Sequence, residues 1–424
     1  MIAIGPAEGS SAALPPRRYA WLVFALSFLL LLSDYMSRQV LNAVFPLIKA
    51  DWQISDTQLG SLSGVVALAV GCLTFPLSLV ADRWGRVRAL TAMAAVWSLA
   101  TLGCALAQNY QQMFLARLFV GVGEAGYGSV GVAVVLAVFP IQMRATLTAA
   151  FMAGGLIGSL VGMALGGAVA VHMGWRSAFV VMALFGMILA AIYPLVVSGK
   201  LAQASKEAGP ATRIPWRRLF NTPSVIAVYI GSGLQLFIPG ALLAWIPTFF
   251  NRYYALAADK AGAGAAALVL IGSLGMVLCG MVSDRLCKTS RQRKFMLAIF
   301  FSVTAAIALT IAFRLPVGAS QIALIAIGMF FAAGTTGPAG AAVANLTPLV
   351  IHGTAFATLT LANNLLGLAP GPVVTGMLAD RFGLLTALQF VPLIGLAAAT
   401  AFWIGLHHYS NDLRSADLAE PVVN

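Results

Sequence analysis

Asp34, Arg38, Arg117 and Glu124 stand inside otherwise apolar stretches in the first third of the sequence, and the apolar stretches of the second half hold no comparable charges. A charge at the centre of a bilayer costs roughly 2.5–3.5 kcal/mol on insertion scales, so such residues face a water-filled cavity or one another. Asp34 and Arg38 are four residues apart and share a helix face along which they can pair. Arg117 and Glu124 are two turns apart and share a face as well. Two guanidiniums on one cavity suit a bidentate carboxylate or phosphate, because the planar group matches that geometry and stays charged. A carboxylate in a dry cavity holds its proton more readily unless an arginine stabilises the charge. That competition makes Asp34 and Glu124 candidate proton sites. The competing reading is a static charge network that only holds two helices together.

The rest of the sequence says what must position these groups. The chain has 424 residues, of which 60% are hydrophobic and only 9% charged, with a mean hydropathy of +0.92. Soluble domains carry about 25% charged residues. A membrane crossing needs about 20 apolar residues. Twelve such spans are expected near 20–45, 58–80, 89–107, 112–138, 146–170, 178–197, 224–249, 264–283, 295–313, 320–344, 353–377 and 385–406. The runs are too unbroken for the alternation of a β-barrel and therefore read as helices. On these boundaries Arg38 on span 1 and Arg117 on span 4 lie at similar depth, with Asp34 and Glu124 nearer the midplane.

The net charge of +12 is a topology signal. With the N-terminus inside, 17 Lys and Arg fall on inner segments and 6 on outer ones, which places both termini in the cytoplasm by the positive-inside rule. Nucleic-acid binding is excluded on the same ground. The first 16 residues do not form a cleavable signal peptide, since the apolar run after Arg17 and Arg18 is too long. Cys72, Cys104, Cys279 and Cys287 form no CxxC pair and read as packing residues.

Five segments are expected: a cytoplasmic tail at 1–18, six spans at 19–197, a basic linker at 198–222, six spans at 223–408 and a tail at 409–424. The two sets of spans repeat. Asp82-Arg83 after span 2 recurs as Asp284-Arg285 after span 8, 202 residues on, and Pro140 before span 5 recurs as Pro348 before span 11. Gly158, Gly162, Gly167 and Gly174 recur as Gly367, Gly371, Gly376 and Gly383, all at an offset of 209. This indicates a duplicated six-helix unit.

The segment Ser78-Leu-Val-Ala-Asp82-Arg83-Trp84-Gly85-Arg86-Val87-Arg88 resembles the loop 2–3 signature of the major facilitator superfamily. Gly280-Met-Val-Ser-Asp284-Arg285, followed by Arg291, Arg293 and Lys294, resembles its partner in loop 8–9. The resemblance spans about residues 17–408 and implies an all-α membrane protein of twelve transmembrane helices in two pseudo-symmetric bundles around a central cavity. An Asp at the end of span 2 can pair with arginines and face a neighbouring helix N-terminus. Asp82, Arg83, Arg86, Asp284 and Arg285 are therefore expected to gate the inner face.

The segment Ala116-Arg117-Leu-Phe-Val-Gly121-Val-Gly123-Glu124-Ala125-Gly126, with Arg38-Gln39 and Ser55-Asp56-Thr57-Gln58-Leu59-Gly60, resembles the anion:cation symporter family and the Spinster-like carriers. In both, the positions of Arg38 and Glu124 are functional, and in the anion symporters so is that of Arg117. Both branches usually carry Asp immediately before the span 1 arginine, where this chain has Ser37. Asp34 is the acid available to replace it. Span 5 has Met163 where the antiporter signature of the superfamily needs Pro, which weighs against drug antiport. Tyr35 and Tyr127 flank the charges. Gln235 and Trp245 on span 7 and Asn363 and Asn364 on span 11 are candidate ligand contacts from the second half, where Thr335 and Thr336 on span 10 are also neutral and polar. His172, His352, His407 and His408 fall at span ends and receive no role.

The expected function is secondary active transport, driven by the proton gradient with no cofactor or metal: proton-coupled symport of a small organic anion. Alternatives are a Spinster-like carrier of lysolipids or other amphiphiles, and a proton-coupled exporter. A membrane sensor or enzyme would need a further soluble domain or a nucleophile–base set. The expected partners are the organic anion, protons and the lipid bilayer; the expected state is a monomer in a bacterial inner membrane.

Overall fold

The computed structural model describes residues 16–197, 222–287, 292–347 and 352–419, and among these no strand occurs. The expected linker, except Thr222, lies outside the described residues, as do Lys288, Arg291 and Pro348 and most of the two tails. The helices follow the expected spans. Spans 1 to 3 are Arg17–Trp52, Asp56–Trp84 and Arg86–Leu106. Span 4 is Tyr110–Glu124 with Tyr127–Ala137, and spans 5 and 6 are Arg144–Met173 and Trp175–Val196. Spans 7 to 9 are Pro223–Tyr254, Ala258–Leu286 and Arg293–Ala312. Span 10 is Ala319–Ala333 with Thr336–Leu346. Span 11 is His352–Asn363, a π-helical turn Asn364–Leu368, and Pro370–Phe382. Span 12 runs from Leu384 through Val391–Leu393 to Ala419, beyond the expected end at 406.

Eleven of these helices are long and apolar enough to cross a membrane. The twelfth, span 11, is broken by its π turn, where the Ala369 amide bonds the Asn364 carbonyl at 2.9 Å. Pro370 supplies the reason: it has no N–H to donate and its ring crowds the carbonyl four residues back, so the turn widens.

The repeat is written in the backbone. Gln53 and Ala255, 202 residues apart, both leave their helices with φ near +50°, and Gly174 and Gly383, 209 apart, have φ of 84° and 83°. The breaks in spans 4 and 10 also match at 209, Glu124 and Ala333 ending the first segments and Tyr127 and Thr336 opening the second. The other six repeated glycines are contact points. Gly158 and Gly162 lie against Leu32 and Met36 of span 1, as Gly367 and Gly371 lie against Phe237 and its neighbours on span 7. Gly167 meets Ala258 of span 8, and Gly376 meets Asp56 of span 2, so this pair joins the two bundles. Small residues allow such backbone approach, which drives association where lipid offers no hydrophobic force.

The two faces of the molecule differ. Toward the face away from the described chain ends, one apolar cluster runs through both bundles and includes Phe45 tilted against Trp245 at 5.4 Å and Met163 beside span 8. Toward the face that carries the starts of spans 1 and 7, each bundle has its own separate core. The bundles are thus packed together at one face and parted at the other.

Candidate functional site

The four buried charges come together in the first bundle, but in a different pairing from the one their spacing suggests. Arg38 crosses to span 4 and donates to Glu124 Oε2 from Nε at 2.9 Å and from Nη2 at 2.6 Å. The Arg38 side chain is 20% exposed and that of Glu124 is fully buried. Asp34 does not bond Arg38 along the helix; it is buried beside the Glu124 carboxyl, within the field of Arg38, and its Oδ1 has no hydrogen-bond partner. Glu124 Oε1 is likewise unpartnered. The two carboxyls lie side by side, Glu124 bonded to the guanidinium and Asp34 only within its field, and each keeps an oxygen free to carry a proton or accept a bond.

The expected clamp of two cavity-facing arginines is not what this conformation holds. Arg117 is 0% exposed and donates to three backbone carbonyls: Leu62 at 3.2 Å, Ser37 at 3.0 Å and Arg38 at 3.3 Å. It ties spans 1, 2 and 4 together from behind Arg38. Ser37 faces the bundle interior, its hydroxyl unpartnered.

The flanking candidates divide in the same way. Tyr35 is half-buried and its ring lies 5.4 Å from the Arg38 guanidinium, within cation–π range. Tyr127 is a core residue: fully buried, edge-on to Trp97, with its hydroxyl donated to the Ser27 carbonyl at 2.9 Å. Gln235 and Trp245 are also fully buried; Gln235 donates to the Ala332 carbonyl at 3.3 Å, and Trp245 donates to the Pro372 carbonyl at 3.0 Å. Asn364 is buried where span 11 meets Gly71 of span 2, and donates to Thr360 at 2.9 Å. Asn363 is half-buried and accepts from Ser232 at 2.8 Å. Of the second-half candidates only Asn363 keeps partial exposure. His172, His407 and His408 are exposed, and His352 bonds the Ala344 and Thr347 carbonyls.

At the parted face Asp82, Arg83, Asp284 and Arg285 are exposed, and Arg86 pairs with Asp82 one turn away at 3.3 Å. Among the described residues no hydrogen bond or ion pair joins the bundles there. The opposite face carries a network that the sequence reading missed. Asp56 receives Arg252 of span 7 through two bonds, 2.8 and 2.6 Å, and Lys49 at 2.6 Å. Asp380 at the end of span 11 accepts the Asp56 amide at 2.8 Å, the Thr57 amide at 2.9 Å and the Thr57 hydroxyl at 2.6 Å. A helix start leaves its first amides unsatisfied. In span 2 a capping box of Ser55 and Gln58 satisfies the first and fourth of them, and Asp380, from the other bundle, satisfies the two between. One signal was present: Ala-Asp380-Arg381-Phe382-Gly383 repeats Ala-Asp82-Arg83-Trp84-Gly85, with the glycine again at positive φ.

Comparison with known proteins agrees with this architecture. The chain is 27% identical to an MFS-type efflux pump of Mycolicibacterium smegmatis, over 94% of this chain and 95% of the pump. It is 28% identical to a probable L-galactonate transporter of Escherichia coli K12, over 64% and 63%. A solved bacterial homolog of the human lysosomal transporter Spinster, inward-facing and unoccupied, superposes with a TM-score of 0.84 at 18% identity, over 94% of this chain and 99% of that one. The family model of the Major Facilitator Superfamily matches residues 27–369, through both bundles and the charged site. Two repeated six-helix bundles, packed at one face and parted at the other, are thus the transporter fold of that family, and this chain belongs to the Major Facilitator Superfamily.

Proposed function

We propose that this transporter is a proton-coupled symporter of a small organic anion, with Arg38 as its anion site and Glu124 and Asp34 as its proton sites. The observation that carries the reading is the Arg38–Glu124 pair with Asp34 beside it. Arg38 is the partly exposed cation of the four, and its present partner is a carboxylate on a neighbouring helix. A substrate carboxylate offers the same geometry and can take Glu124's place. Glu124, then deprived of its cation in a dry site, is discharged by a proton. Asp34 beside it is the second position for that proton. Arg38 and Arg117 balance Glu124 and Asp34, so one anion arriving with one proton leaves the site's charge unchanged. The L-galactonate transporter among the relatives supports a carboxylate as cargo, through the acid group and not through the body that carries it.

Alternating access then uses two sets of contacts. With both termini in the cytoplasm of a bacterial cell and the protein in its inner membrane, the packed face is the outer one. Asp56, Arg252 and Asp380 hold it shut, and Asp82, Arg83, Arg86, Asp284 and Arg285 are the corresponding contacts for the inner face.

The test is uptake into proteoliposomes under an imposed pH gradient, with a panel of organic acids. Replacing Arg38 with Ala abolishes uptake, and Glu124→Gln abolishes uphill accumulation while sparing exchange of substrate for substrate. Uptake that survives Arg38→Ala removes the anion site from the mechanism. A second reading, transport of a larger amphiphile, is favoured by the absence of in-span charges from the second bundle; it predicts a lysolipid response that outlasts Arg38→Ala.

A further inference from the structure

The repeat allows the charged corner of the first bundle to be located in the second. Spans 1 and 7, like spans 2 and 8, correspond at an offset of 202, since Trp52 and Tyr254 end one pair and Asp56 and Ala258 open the other. Spans 4 and 10 correspond at 209. Arg38 therefore maps to Gly240, Asp34 to Leu236, Arg117 to Ala326 and Glu124 to Ala333. Each charge has an apolar or side-chain-free counterpart. Of these counterparts Ala333, that of Glu124, lines a cavity of about 110 Å³ between spans 7, 8 and 10, whose other walls include Pro239, Leu242, Val269, Met276 and Met329. Its one side-chain hydroxyl, Ser273, is spent on the Val269 carbonyl at 2.8 Å, so the cavity is dry in character. One bundle thus presents an ion pair, and the other a hollow beside the counterpart of Glu124.

We infer that this hollow is the second half of the substrate site and selects an organic anion with an apolar body of about one ring. The inference rests on the anion reading of Arg38 and adds to it the class of acid carried, an aromatic or alicyclic monocarboxylate. The size argument is direct. An apolar cavity of about 150 Å³ stays dry and takes benzene, so one of similar order holds a ring and not a long acyl chain. The chemical argument is that apolar walls reject a chain of hydroxyls, which would enter without hydrogen-bond partners. Met276 and Met329 supply flexible, polarizable walls that suit a ring face or edge.

The test uses the full-length purified protein in detergent and two probes, benzoate and gluconate, with affinities read by calorimetry. The wild type binds benzoate at least about tenfold more tightly, a difference of 1.4 kcal/mol. Ala333→Leu fills the hollow and removes that preference while leaving gluconate binding intact, which also shows that the variant is folded. Met329→Ala enlarges the hollow and shifts the preference toward 2-naphthoate, a second readout should Ala333→Leu not fold. A wild type that favours gluconate, or an Ala333→Leu variant that weakens both acids equally or neither, overturns the inference. Indifference of benzoate to Ala333→Leu is also the result expected if a bilayer acyl chain fills the hollow. Arg38→Ala separates the two levels. If it abolishes both acids and Ala333→Leu spares benzoate, only the hollow is wrong. If both acids still bind without Arg38, the anion site itself is wrong and the inference falls with it.

Discussion

Removal of Asp380 should open the packed face without touching the charged site. Asp380 makes three bonds from span 11 to the start of span 2, two of them to backbone amides that have no other acceptor there. Its side chain is on the exposed surface, so water and salt screen its charge, and the value of a lost helix cap, about 0.5–2 kcal/mol, applies in place of a buried-pair figure. A loss of about 1–2 kcal/mol shifts a two-state population roughly 5- to 30-fold. Asp380→Ala is expected to shift the packed state by that factor, and Asp380→Asn by less, because the amide oxygen can still accept. Arg252→Ala removes two short bonds from Asp56, whose side chain is only 4% exposed, and should match or exceed Asp380→Ala. The readout is the labelling rate of Met163→Cys, a fully buried position where span 5 meets span 8, with a membrane-impermeant maleimide. Cys72 must first be replaced by Ser because it is exposed, whereas Cys104, Cys279 and Cys287 are buried. Asp51→Ala is the control: Asp51 binds Arg176 and Trp175 of its own bundle and should leave the rate unchanged. Unchanged labelling in both Asp380→Ala and Arg252→Ala, or an equal rise in Asp51→Ala, would refute the latch.

Three other outcomes follow from the same geometry. If anion binding takes up one proton, the apparent affinity for the substrate rises by up to about tenfold for each unit the pH is lowered, and Glu124→Gln flattens that slope in a titration calorimeter. Arg117→Ala should act on folding before binding: it removes three bonds from a charged donor to carbonyls that remain in their own helix ladders, a loss of about 1.5–3 kcal/mol for each bond, read as a lowered thermal midpoint in detergent. A normal midpoint with lost binding would return Arg117 to the substrate. Gly376→Val places a side chain against the Asp56 backbone and should hold the packed face open, with Met163→Cys labelled as fast as in Asp380→Ala or faster.

Much of the fold was legible because its signals are periodic and local. Apolar run length located the spans, and the offset of 209 marked eight glycines, six of them contact points between helices and two at positive φ. The charged site was legible in its members and not in its pairing. Spacing on one helix put Asp34 beside Arg38, yet Arg38 reaches span 4, where Glu124 offers two bonds to one oxygen. Arg117 shares a face with Glu124 on paper, but its long side chain turns to carbonyls of spans 1 and 2. A helical wheel gives the direction of Cβ; it does not give the end of a four-bond side chain. The latch was illegible for a related reason. Asp380 acts on amides of span 2, and a backbone acceptor or donor leaves no trace in residue type at the receiving position.

The division of labour has a mechanical consequence. Arg38, Glu124, Asp34 and Arg117 all belong to one bundle, so rocking of one bundle against the other leaves their mutual distances unchanged. On the proposed mechanism, proton and anion binding are linked by exchange of partners at Arg38, a local event. Asp56–Arg252 and the Asp380 cap cross between bundles, and these contacts must break when the packed face opens. The substrate connects the two only if it touches both bundles at once, which a ring seated in the hollow of the second bundle would do while its carboxylate lies on Arg38. Variants should then fall into two classes. Those at Glu124 change the pH dependence of binding and leave Met163→Cys labelling alone, and those at Asp380 do the reverse. Ala333→Leu belongs to a third position: binding of gluconate survives, but the ligand no longer alters the labelling rate, because the acid is held by one bundle. A Glu124→Gln variant that changed labelling in the absence of any ligand would break this separation, since it would require the charged site to sense the distance between bundles directly.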